Sequence, residues 1–174
     1  MINYHSPTVV VPNIPVVDVH DNERLLLNLV FQHEICPDKP DDVYFFAEDQ
    51  LNLFLTLKPQ EWVQINTLLV EMGEPEVIGT DTIEFDVSFI AKVFQRIIKR
   101  SQTVDRVEII TSYTCDKMRP DGFGGGIVVI TAEAVESFST ANHERVNRPH
   151  LNQPSKYVDF LTTAVRPVLS SGDQ

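Results

Sequence analysis

Three consecutive segments in the second half of the chain constrain the fold most. Residues 85–100 repeat apolar side chains at helical spacing: Val87, Ile90, Ala91, Phe94, Ile97 and Ile98 share one side, and Lys92, Arg96, Lys99 and Arg100 take the rest. Residues 107–113 and 126–131 follow, both rich in the branched apolar residues that favour strands. The connection between them is too short for a helical crossover, so the two strands should pair antiparallel. A helix packed on antiparallel strands defines an α+β class.

The rest of the chain reads in the same terms. Asp21 or Asn22 is a suitable N-cap for a helix over about 22–34, with Leu25, Leu26, Leu29, Val30 and Phe31 on its apolar side and Pro37 ending it. Residues 38–42 have turn composition, and 43–47 (Val-Tyr-Phe-Phe-Ala) that of a strand. Leu51, Leu53, Leu55 and Leu57 alternate, which predicts a hairpin of 43–47 with 51–57, a helix being the alternative for the second segment. Pro59 opens a helix to about residue 72, with Gly73 as its stop. Residues 74–84 look irregular and acidic, and 133–140 either extend the preceding strand or begin a short helix. Residues 141–154 have loop composition, Ser155 caps a last helix over 155–164, and 165–174 should fray. The expected architecture is a small, mostly antiparallel sheet against three to four helices. At 174 residues this is one domain.

The first seventeen residues stand apart. Their valines favour extended backbone, yet Pro7, Pro12 and Pro15 remove ladder donors. The segment is expected to be an extended arm that docks as an edge strand, on its own domain or on a second copy. A structural homodimer follows from the latter.

Composition excludes several function classes. The 43% hydrophobic and 22% charged residues are ordinary for a globular chain. Apolar runs are too short for a spanning helix, and residues 1–7 lack the basic and apolar regions of a signal peptide. Cys36 and Cys115 match no paired spacing, which suits a reducing compartment; the cytoplasm is expected. Histidines 5, 20, 33, 143 and 150 show no zinc-ligand spacing. No catalytic residue, cofactor or metal is expected.

Charge is distributed unevenly. Residues 1–86 hold sixteen acids against three bases, a balance of −13, whereas 87–174 hold nine against eleven. Six acids and one base fall in 34–49, and six acids and no base in 71–86. An acidic surface repels nucleic acid, so direct nucleic-acid binding is not expected. Two unbalanced acidic runs cost stability by self-repulsion and suit a basic partner. Asp38, Asp41, Asp42, Glu48, Asp49, Glu71, Glu74, Glu76 and Asp81 are therefore the candidate partner-binding residues. Lys92, Arg96 and Arg100 form one helical stripe, whose simplest use is pairing with the acidic half.

The main functional expectation is a non-enzymatic interaction protein binding a basic protein surface. By analogy with phage and plasmid accessory proteins, it would inhibit a nucleic-acid-binding machine by occupying its groove. The alternative is a small enzyme or anion-binding domain built around 114–126, where four of the seven glycines cluster. Its candidate residues are Cys115, Lys117, Arg119, Asp121, Gly122, Gly124 and Gly125. Glycine runs can cradle anions, but phosphate loops lead into a helix, and here a strand follows. A run that lets two backbone segments approach closely is the simpler account.

Overall fold

A computed structural model describes residues 4–115, 123–140 and, as backbone, 165–167. Lys117, Arg119, Asp121, Gly122, His143, His150 and the expected helix over 155–164 lie outside the described residues.

The described chain forms three helices, α1 (Asp21–Val30), α2 (Pro59–Glu71) and α3 (Val87–Arg100). Its strands are β1 (Tyr4–His5), β2 (Thr8–Val11), β3 (Ile14–Pro15), β4 (Gln32–Cys36), β5 (Lys39–Ala47), β6 (Phe54–Thr56), β7 (Thr82–Phe85), β8 (Arg106–Cys115), β9 (Gly124–Thr131), β10 (Val135–Ser139) and β11 (Val165–Pro167). Eight of them make one sheet and three another. The arrangement is α+β with antiparallel pairing, but the large sheet corrects the expectation of a small one. Short segments without a strong pattern of their own, β1, β3 and β4, enter it through tertiary pairing.

α3 forms as its spacing predicts. Asp86 caps it, accepting the Phe89 N–H and the Ser88 hydroxyl at 2.7 Å each. Phe89, Ile90, Ala91, Val93, Phe94, Ile97 and Ile98 are buried along its length. Phe94 meets Phe31 and Phe45 edge-on, with ring centroids 6.1 and 6.2 Å away. β8 and β9 pair antiparallel from Arg106↔Thr131 to Tyr113↔Gly124. Residues 135–139 turn back on β9 as a further strand, Val135↔Ile130 to Ser139↔Gly126.

Within the N-terminal segment β3 is an edge strand, paired with β5 alone, but β2 is not. β2 lies between β8 and β5, with Thr8 paired to both Thr111 and Ala47, and Val9 to both Ile110 and Phe46. The prolines flank these residues, so all four of β2 keep their N–H donors. Pro7 still contributes its carbonyl, which accepts the Ser112 N–H at 3.0 Å. Thr8, buried at this central position, bonds the Thr111 hydroxyl at 2.9 Å. The segment therefore docks within its own chain, the first of its two expected modes.

Four further expectations are corrected. α1 begins after His20, where neither Asp21 nor Asn22 caps it, and stops at Val30. Residues 32–36 pair with β5 as a strand, because Phe31 turns into the core against Phe45 while Gln32–Ile35 complete the ladder. The turn tightens to Pro37–Asp38, and β5 starts at Lys39. β6 does not form a hairpin with β5: it pairs with β7, Leu55↔Ile83, in the smaller sheet. β11 also joins β7, so the stretch expected to fray begins with three paired residues.

One buried cluster joins all three helices and both sheets. In the large sheet, Val10, Phe45, Ile109 and Ile130 point into it, each at most 1% exposed. Their neighbours Val9, Phe46, Ile110 and Val129 alternate to the opposite face and are only half-buried.

Candidate interaction surface

The two acidic stretches have different fates. In the second, Glu71 accepts a bond from Arg96 Nη2 at 2.9 Å, and Glu74 lies 3.7 Å from Lys92 Nζ. These carboxylates are counter-charges for the basic stripe of α3, as the simplest reading of that stripe expects. Glu76 and Asp81, on the connection to β7, are exposed and form no ion pair among the described residues.

The first stretch stays open. Asp38 sits in the β4–β5 turn, Asp41 and Asp42 on β5, and Glu48 and Asp49 just past its end. Asp42 is half-buried and the other four are exposed. Asp49 accepts the Ser6 N–H at 3.2 Å and lies 3.7 Å from His5 Nδ1, so it also ties down the first strand. Asp38, Asp41, Asp42 and Glu48 have no ion-pair partner among the described residues, and Glu34 on β4 is likewise exposed and unpaired. The only base within the hairpin is Lys39.

The residue that organises the charges was not singled out from sequence. Glu23 is fully buried on α1. Its carboxylate accepts from Arg100 Nη1 at 3.1 Å and from Arg100 Nη2, with Arg96 Nε 3.3 Å away. It also takes the His20 N–H at 3.1 Å, closing the first turn of α1. Arg100 Nη2 donates to the Asp18 carbonyl at 2.9 Å, and Ser101 donates to the Asp18 carboxylate at 2.6 Å. A legible signal existed: Glu23 shares the 23, 26, 27, 30 stripe with Leu26, Leu27 and Val30, where a charge is out of place unless paired.

Of the glycine-rich alternative, the described part is strand. Gly124 and Gly126 lie on the same face of β9 as Tyr113 on β8. A Cβ at Gly124 would meet Thr140 Oγ1 at 2.5 Å, whereas one at Gly126 would make only ordinary contacts, 3.5 Å from the Tyr113 hydroxyl and the Phe138 carbonyl oxygen. A Cβ at Gly125 would meet the Thr111 carbonyl oxygen at 2.9 Å. Thr140 Oγ1 accepts the Gly125 N–H at 3.1 Å. Gly124 and Gly125 thus serve close approach to neighbouring segments. Cys115 is buried opposite Tyr4, at the end of β8.

Among the described residues, no three His, Cys, Asp or Glu side chains converge to hold a metal ion, and no helix is long and apolar enough to cross a membrane. No family model, curated protein or solved structure matches the chain.

Proposed function

We propose that this chain is a non-enzymatic interaction protein that binds a basic segment of a partner protein through the acidic side of β4–β5. The supporting observation is the separation of the acids into two sets. Glu23, Glu71 and Glu74 are taken up by α3, while exposed Glu34, Asp38, Asp41 and Glu48 and half-buried Asp42 have no counter-charge among the described residues. Neutralising one another's repulsion is beyond them, and a cationic surface would do so. The partner that fits best presents lysines and arginines in the manner of a phosphate-binding groove, so that the chain would compete with nucleic acid for it.

Capture from cell extract at low and high salt tests this reading. The intact chain should retain a basic protein at low salt and lose it at high salt, because exposed charges are screened beyond about 8–10 Å at physiological ionic strength. Reversing charge at Asp38, Asp41 and Asp42 should abolish retention, and Cys115→Ser should leave it intact. Retention lost with Cys115→Ser and indifferent to the three aspartates would return the function to the glycine-rich segment.

A further inference from the structure

The face of the large sheet turned away from the helices carries an unbroken apolar row. Register places Phe46 beside Val9, Val9 beside Ile110, Ile110 beside Ile127, and Ile127 beside Phe138. Five strands thus each contribute one apolar residue to a single line. Tyr44 widens it by stacking on Phe46, with ring centroids 5.2 Å apart. None of these side chains belongs to the buried cluster, and Phe138 is 55% exposed. At about 4.8 Å between strands, the four steps from Phe46 to Phe138 span about 19 Å, the length of about 13 helical residues.

The surroundings of this row decide what would cover it. In the next row Val11, Glu108, Val129 and Glu136 are cross-strand neighbours, and Glu34 is paired opposite Tyr44. Asp42 is two residues before Tyr44 on the same face. Arg106, a base on this face, is bonded to Glu108. Glu34, Asp42 and Glu136 have no ion-pair partner among the described residues. A second copy laid face to face would bring these acids together, and an anionic surface would be repelled outright.

We infer that this face docks an amphipathic helix of a partner protein, its apolar stripe on the row from Phe46 to Phe138 and its flanking lysines or arginines against Glu34, Asp42 and Glu136. The inference rests on the proposed binding of a basic partner and names the form that partner takes. Burial of the row supplies affinity, and the acids set orientation and reject the wrong sign of charge.

The test uses the full chain and synthetic peptides of helical length: a leucine/lysine amphipathic peptide, a lysine/serine peptide of equal charge without the apolar stripe, and a leucine/glutamate peptide. The leucine/lysine peptide should bind at least about tenfold tighter than either other. The double variant Phe46→Ser, Ile127→Ser should remove that advantage. A photoreactive group on the apolar stripe should label the strands bearing Val9, Phe46, Ile110 and Ile127 in the unaltered protein, which keeps the test valid if the double variant misfolds. Equal binding of both lysine peptides, with labelling elsewhere, overturns the docking face and leaves the acidic reading standing. Binding of neither lysine peptide overturns both. Ile127→Cys shielded from a thiol reagent in the free chain would mean that a second copy or another part of this chain covers the face, and would also overturn the inference; the mass in solution separates those two cases.

Discussion

Glu23 and Arg100 are 77 positions apart, yet two guanidinium nitrogens of Arg100 bond the buried carboxylate of Glu23. The acidic and basic halves of the chain thus meet inside the fold, where α1 and α3 converge. Arg96 approaches the same carboxylate while reaching Glu71 with its other end. A buried charge is tolerable only when so fully paired.

Glu23→Ala should therefore destabilise the protein by about 3–5 kcal/mol, since it leaves two guanidinium groups without their buried counter-charge. Glu71→Ala, which removes a half-exposed partner of Arg96, should cost no more than about 1 kcal/mol. Urea denaturation of both variants checks the contrast. Equal, small shifts in midpoint would show that Glu23 is not the node.

Phe94→Ala empties a fully buried site between the rings of Phe31 and Phe45 and should cost about 3–5 kcal/mol. That is a large share of a typical domain's stability of about 5–15 kcal/mol. An unchanged denaturation midpoint would contradict this packing of α3 against α1 and β5.

The glycines separate by what an added methyl would meet. Gly125→Ala drives its Cβ against a backbone oxygen, which cannot swing away, and should cost about 1–3 kcal/mol. Gly126→Ala meets only ordinary contacts at 3.5 Å and should be tolerated far better. Gly73→Ala has open space but a φ of +79°, and should cost about 1 kcal/mol through backbone strain alone. Thermal unfolding of the three single variants ranks them.

What sequence made legible follows the strength of local pattern. α2 and α3 have long apolar stripes with a proline start, an aspartate cap or a glycine stop, and their spans differ from expectation by about a residue. The β8–β9 pair was equally plain. β4 was not, because Ile35 is the single strongly strand-favouring residue in Gln32–Cys36, and its backbone is recruited by β5. The smaller sheet escaped notice because β6, β7 and β11 are three or four residues each and far apart in sequence. At the candidate surface, acid counting marks the acid-rich half but cannot separate carboxylates facing α3 from those facing water. That distinction depends on which helix faces meet, and no local pattern encodes it.

The N-terminal segment gives the sharpest test of the fold. Prolines at 7, 12 and 15 suggest an edge, which holds for β3 with its Pro15, yet Pro7 and Pro12 bracket four residues that occupy the centre of the large sheet. An arm docked on a second copy could be removed with only a change in mass. A central strand cannot, because its loss exposes the inward faces of β5 and β8, including Phe45 and Ile109, and leaves two rows of backbone groups unpaired. Deleting residues 1–11 should therefore abolish cooperative unfolding rather than convert a dimer into a stable monomer. The milder variant Val10→Ala removes a side chain that is 1% exposed and should cost about 2–3 kcal/mol while the sheet stays paired. Circular dichroism melts and light scattering on both variants check this. A truncated chain that melts cooperatively at the original temperature would place the segment outside the sheet.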